Sequence, residues 1–101
     1  MSWTKVCSTT DIPPSQIKEF KTTGPAVAVA HVDNQFYAIA ALCTHAHCPL
    51  ASGTLDHHAL TCCCHGAQFD VRTGEVLALP ATDPVTTYPL KTKNKNIYIK
   101  I

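Results

Sequence analysis

The sequence predicts an all-β fold, and three observations carry that prediction. Residues 26–32 and 35–40 are two β-rich runs flanking Asp33-Asn34, and both turn residues tolerate the positive φ of a two-residue hairpin turn. Ile97-Tyr98-Ile99-Lys100-Ile101 alternates, with its isoleucines on one face. No segment of ten or more residues sustains a helical period, and residues 15–20 could form at most one or two turns. Short strands spaced by turns, without long helices, indicate a sandwich or barrel.

Each element follows in order. Trp3 to Val6 alternates weakly and runs into the turn-like Ser8-Thr9-Thr10-Asp11. Pro13 and Pro14 remove two backbone donors and bias Ile12 to extended geometry, so neither a helix nor a central strand crosses them. Residues 17–22 alternate again up to a Gly24-Pro25 turn. The second hairpin strand leads directly into Cys43. Ser52-Gly53 is a turn, with Leu55 and Leu60 as short-strand or loop anchors. Residues 68–71, the turn Arg72-Thr73-Gly74 and residues 75–77 read as a small hairpin. Residues 80–84 are a loop, and residues 86–92 are a strand joined to the last one by Asn94-Lys95-Asn96. The chain of 101 residues suits one modest core. We therefore expect a single domain over 1–101, with residues from about 42 to 70 inserted between strands of the β scaffold.

Composition narrows the function. Hydrophobic residues make up 46% and charged residues 15%, which is a folded composition. A formal net charge of +1 provides no global field to recruit nucleic acid or an anionic membrane. No run of eighteen apolar residues could span a bilayer, and Met1-Ser2-Trp3-Thr4-Lys5 does not resemble a signal peptide. A reducing, cytoplasmic setting is the expectation. There, clustered Cys with interspersed His point to metal rather than to a disulfide scaffold. No Ser/His/Asp set, phosphate-binding glycine loop or acidic pair suggests an enzyme.

Residues 43–70 contain five of the six cysteines and five of the six histidines. Cys43-x-His45 at one end is answered by Cys62-x-x-His65 at the other, with sixteen residues between them. Two Cys and two His can hold a tetrahedral zinc. They can also hold a [2Fe–2S] cluster, with thiolates on one iron and imidazoles on the other. A zinc site of this composition commonly pairs a close-set Cys pair with a close-set His pair. Here each loop offers one Cys and one His, which suits two adjacent metals, each loop giving its Cys to one and its His to the other.

With Gly66 and Phe69-Asp70 added, this pattern resembles the signature of Rieske-type iron–sulfur proteins. Trp3-Thr4-Lys5-Val6-Cys7, Asp11-Ile12-Pro13, Phe36-Tyr37-Ala38 and Pro80-Ala81 extend the resemblance to soluble Rieske ferredoxins. The resemblance implies Rieske-like stacked antiparallel sheets with a two-loop cluster-binding subdomain. It implies a [2Fe–2S] cluster, with Cys43 and Cys62 on the inner iron and His45 and His65 on the outer, more exposed one. Gly66 would permit close backbone approach, and the Pro80 loop would cover the cluster from a third side. The implied function is a soluble one-electron carrier, monomeric and not an enzyme, working between a flavin-dependent reductase and an oxygenase-type acceptor. Its docking edge would be His45 and His65, rimmed by Leu50, Ala46 and the Pro80 loop. The alternatives are a small subunit of a larger redox enzyme, such as a nitrite reductase, and a structural zinc module. A quinol-oxidising membrane subunit is disfavoured because no anchor segment is present.

Two neutral imidazoles in place of two thiolates remove negative charge, so an added electron meets less repulsion. Iron-bound imidazoles can also lose a ring proton, which couples redox to protonation at high pH. In high-potential respiratory relatives, hydroxyls at the positions of Ala67 and Phe69 donate to cluster sulfur. Neither residue has one, which implies a low potential, about −150 to 0 mV within the family span. Cys48 and Cys64 stand where those respiratory proteins carry a disulfide clamp, which implies a Cys48–Cys64 bond. Cys63 stands where the family usually has Pro, and nothing physical accounts for it. Cys7 reads as a small buried hydrophobe and His47 as a loop residue at the cluster rim. His57 and His58 read as solvated turn residues, His31 as a strand residue, Asp70 as turn-stabilising, and the tyrosines as strand packing.

Overall fold

The computed structural model describes residues 3–22, 24–42, 48–62, 66–78 and 83–101. Among them are strands β1 (Trp3–Ser8), β2 (Gln16–Phe20), β3 (Val27–Val32), β4 (Gln35–Ala40), β5 (Thr54–Asp56) and β6 (Ala59–Thr61). They are followed by β7 (Gln68–Asp70), β8 (Val76–Ala78), β9 (Thr87–Tyr88), β10 (Leu90–Lys93) and β11 (Asn96–Lys100). Three antiparallel sheets result, with strand orders β1-β11-β10, β2-β3-β4-β9 and β5-β6-β7-β8. The all-β expectation holds. Among the described residues no helix is long and apolar enough to cross a membrane.

Turn chemistry accounts for the hairpins. Asp33 and Asn34 have φ of 50° and 65° and join β3 to β4 in the register Val32↔Gln35. Asn94 and Lys95, at 52° and 64°, do the same for β10 and β11, so Asn96 opens the last strand rather than belonging to the turn. These left-handed pairs match the twist of the strands they connect. The expected turn after β1 is a single 3-10 turn, Thr9–Asp11, where the Asp11 carboxylate accepts from the Ser8 amide at 2.8 Å. The single strand expected over 86–92 is two strands in different sheets. Pro89 lies between them without an N–H to donate, while its carbonyl accepts from the Lys100 amide at 3.0 Å.

The apolar run at the first hairpin is explained by β3 being buried on both faces, as central strands can be. Val27 and Val29 point one way, into a core with Cys7, Ile12, Ala38, Ile97 and Ile99. Ala28, Ala30 and Val32 point the other way, into a core with Ile39, Leu50, Leu60, Cys62, Ala67 and Phe69. The middle sheet thus separates two cores, and β5 to β8 lie over the second. Because β4 pairs with β9 through Ala38↔Tyr88 and Ile39↔Thr87, the chain between them rises from two hydrogen-bonded neighbours.

Cys7 behaves as a small hydrophobe, 7% exposed and unpaired. Burial, and secondarily the Asp11 charge, push its thiol up to about 11. A thiol held neutral stabilises the fold in full below the unfolded pKa, about 8.5. That contribution is lost as pH rises through the folded value. Thermal unfolding from pH 8 to 11 should show a decline that is shallower in Cys7→Ala; parallel declines would contradict this assignment.

Candidate metal centre

Both sequence motifs hang from closed necks. At the first, Leu42 bridges to Pro49, and the Leu50 amide donates to the Ala41 carbonyl at 2.8 Å. At the second, the Cys62 amide donates to the Ala67 carbonyl at 2.7 Å, one rung beyond the β6–β7 pair Thr61↔Gln68. Each loop therefore leaves and re-enters the scaffold across a hydrogen bond, which fixes where the segment carrying its expected ligands starts and stops. Gly66 sits just inside the second neck with φ of +74°. A Cβ there would meet nothing within 4 Å among the described residues, so the left-handed backbone demands the glycine.

Strand alternation decides which side chains face inward. Leu60 and Phe69 oppose each other and are fully buried, and Cys62 and Ala67 continue that face at 2% and 0% exposure. Thr61 and Gln68 lie on the opposite face, where the Gln68 Nε2 donates to the Thr61 Oγ1 at 3.0 Å. Cys48, from the first loop, is half-buried against the same core that holds Cys62, Ala67 and Leu50. The core that seats Cys62 is thus shared by the roots of both motifs.

Asp70 anchors the turn that follows β7. Its carboxylate accepts from the Arg72 amide at 2.9 Å and from the Arg72 Nε and Nη2 at 3.1 and 2.8 Å. Its carbonyl accepts from the Gly74 amide at 2.7 Å. The hydrogen-bonded Arg72 guanidinium holds the Asp70 carboxyl below the usual carboxylate range, against a smaller opposing effect of burial. This is the turn-stabilising role expected from the sequence.

Of the expected ligands, Cys62 is described; Cys43, His45 and His65 lie outside the described residues. So do His47, Cys63, Cys64, Ala46, Pro80 and Ala81. Among the described residues no group of three His, Cys, Asp or Glu is arranged to hold a metal. His57 is exposed, at the β5–β6 turn with φ of 52°. His58 is half-buried, its ring edge-on to Tyr37 at 5.6 Å. His31 stacks on Phe36 at 4.2 Å, with Nδ1 placed 2.8 Å from the Ile12 carbonyl.

One expectation is corrected. Leu50 is not at an exposed rim; it opens the 3-10 turn Leu50–Ser52 and is fully buried. The apolar side chain exposed at the foot of the first loop is Leu42, at 48%. The signal was available in the alternation, because Ala41 beside it is buried and sends its neighbour outward. Alternation also places Thr61 opposite to Cys62, but its position against Gln68 depends on non-local strand pairing, which local residue pattern does not specify.

Of the expected donors, the described Cys62 fits a two-iron cluster. A cysteine sulfur with almost no contact with solvent suits a metal held against the core, as the inner iron of a [2Fe–2S] pair would be. The buried Ala67 and Phe69 present no hydroxyl donors beside that sulfur.

Known proteins resemble the chain over most of its length. The Rieske [2Fe–2S] domain profile matches residues 2–89. The chain is 38% identical over 102 residues to the 3-phenylpropionate/cinnamic acid dioxygenase ferredoxin subunit of Photorhabdus laumondii subsp. laumondii, spanning 100% of this chain and 96% of that one. It superposes with a TM-score of 0.91 and 36% identity on a chain from the complex of reduced oxygenase and oxidized ferredoxin in carbazole 1,9a-dioxygenase, covering 96% and 91% of the two chains. The ferredoxin of carbazole 1,9a-dioxygenase from Nocardioides aromaticivorans IC177 gives a TM-score of 0.93 at 30% identity, over 98% and 97%.

Proposed function

Because the chain belongs to the Rieske [2Fe–2S] domain family, we propose that it is a one-electron carrier feeding an oxygenase-type acceptor. The single observation that carries this reading is the family match over residues 2–89, joined to ferredoxin relatives covered almost end to end. When bound, the [2Fe–2S] cluster supplies the site that takes and returns one electron.

The chain's own residues hold and tune that site. Cys43 and Cys62 are the thiolate ligands, and His45 and His65 the imidazole ligands. The burial of Cys62 supports its assignment to the inner iron. The whole chain, 1–101, is one Rieske domain, with its cluster-binding subdomain at about 42–70. Cys48, half-buried beside the Cys62 core, is the described half of a Cys48–Cys64 disulfide that stiffens both loops. The electron leaves at the His45 and His65 edge, with exposed Leu42 as an apolar contact at its foot.

Relatives named as dioxygenase ferredoxin subunits, and a matched chain from an oxygenase–ferredoxin complex, support an oxygenase-type acceptor. A flavin-dependent reductase is the donor. The protein acts as a cytoplasmic monomer. A low potential follows from Ala67 and Phe69, which offer cluster sulfur no hydroxyl. The test is EPR with potentiometry on the purified protein. The expected result is a red-brown colour, a low-average-g signal on reduction and a midpoint of about −150 to 0 mV. A colourless, EPR-silent zinc protein overturns the carrier reading, and a midpoint above about +200 mV overturns the tuning argument.

A further inference from the structure

We propose that the Thr61–Gln68 side-chain hydrogen bond is a clasp that holds the second ligand loop closed and positions Cys62 and His65 for the cluster. The inference rests on the reading of those two residues as ligands.

β6 and β7 are three residues each, and their ladder has three register pairs: Ala59↔Asp70, Leu60↔Phe69 and Thr61↔Gln68. The ligand loop begins immediately past the last pair, so its mouth is the end of a short ladder. Support from the neighbouring strand is irregular there, because the β7–β8 register shifts between Gln68 and Phe69. On the core face the mouth is filled by Cys62 and Ala67. On the outer face its closure is the bond from the Gln68 Nε2 to the Thr61 Oγ1, 3.0 Å long and partly buried. Partial burial reduces competition from water, which is where such a bond contributes most.

The rung just beyond, from the Cys62 amide to the Ala67 carbonyl, fixes the Cα of one ligand. Gly66, next in sequence to the expected ligand His65, leads with φ of +74° into Ala67, the acceptor of that rung. Losing the Thr61–Gln68 bond leaves the Cys62–Ala67 rung to close the loop alone, so its flanks separate more readily. Thr61 and Gln68 are therefore positioning residues that act through the ligand-bearing backbone. Removing one neutral hydrogen bond should shift the opening equilibrium about five-fold.

The experiment is a double-mutant cycle on the cluster-loaded protein. Thr61→Val and Gln68→Met remove either partner at similar size, and Thr61→Ser retains the hydroxyl. Cluster loss under an iron chelator is followed by visible absorbance, and the reduced EPR g values are recorded for each variant. The expected result is about five-fold faster loss for each single variant, with the double variant no faster than either. Thr61→Ser should stay within about two-fold of the parent, and the g values should shift in Thr61→Val but not in Thr61→Ser.

Two singles that multiply to about 25-fold in the double variant overturn the clasp, as do singles that match the parent. If Thr61→Val does not accumulate with cluster, Gln68→Met, on the outer face, decides alone: loss at the parent rate overturns the clasp. A parent protein with no cluster spectrum overturns the ligand reading and the clasp with it. A normal parent spectrum with an uncoupled cycle overturns the clasp only.

Discussion

Gly74→Ala is expected to destabilise the fold by about 3 kcal/mol or more, far beyond an ordinary surface change. Two effects combine at this position. Gly74 has φ of +80°, where a Cβ alone costs about 1–2 kcal/mol. A Cβ there would also overlap the Val85 carbonyl oxygen and press on the Thr87 Cγ2 at 3.2 Å. The Val85 carbonyl cannot simply retreat. The Val85 amide donates to the Gly74 carbonyl at 2.9 Å, Val85 is buried in the loop-side core, and the chain continues into β9 against β4. Relief at Gly74 would therefore strain the contact between the scaffold and the hairpin that follows β7. Gly24→Ala is the control, since among the described residues its Cβ would meet only the Thr22 Oγ1, at 3.8 Å. Denaturant unfolding should separate the two variants clearly. Equal midpoints would show that the Gly74 backbone yields at low cost.

Much of this architecture was legible in the chain because its signals are local. Asp33-Asn34 specifies a tight turn by its tolerance of positive φ and the flanking strands follow, whereas the turn expected over Asn94-Lys95-Asn96 closes one residue sooner, at Lys95. The run from Val27 to Val32 reads as a strand at once, although only the structure shows that its alternate residues serve two different cores. Non-local pairing was harder to read. Residues 86–92 look like one strand because their residue types are β-formers, yet Pro89 divides them between sheets. Nothing in the local pattern of Val76–Ala78 announces that this strand completes a sheet with β5, β6 and β7. Leu50 shows the same limit at the site. An apolar residue beside a metal motif could serve as docking rim or as core, and a single 3-10 turn sends it inward. The Cys and His motif was legible as a family signature, and the Rieske [2Fe–2S] domain match over residues 2–89 bears that resemblance out.

The Cys62-Cys63-Cys64 run offers three adjacent sulfurs, and the burial of Cys62 supports the first as the expected ligand. Leu60 is fully buried and Thr61 carries its hydroxyl on the outer face, so alternation returns Cys62 to the core side at 2% exposure. The Cys62 backbone is held by its bond to the Ala67 carbonyl whatever the side chain. Cys62→Ala should therefore keep the fold, at a cost of about 1 kcal/mol for the lost sulfur packing. It should nonetheless abolish the cluster altogether, because the inner iron keeps only one of its two expected thiolates. Cys63→Ala should retain both the visible spectrum and the reduced EPR signal. Far-UV circular dichroism keeps the comparison clean, since both variants should match the parent in strand content. The reverse pattern, with colour kept in Cys62→Ala and lost in Cys63→Ala, would move the ligand one residue along the chain. The buried sulfur beneath the loop would then be packing only, and the register inferred from His65 and Gly66 would fail with it.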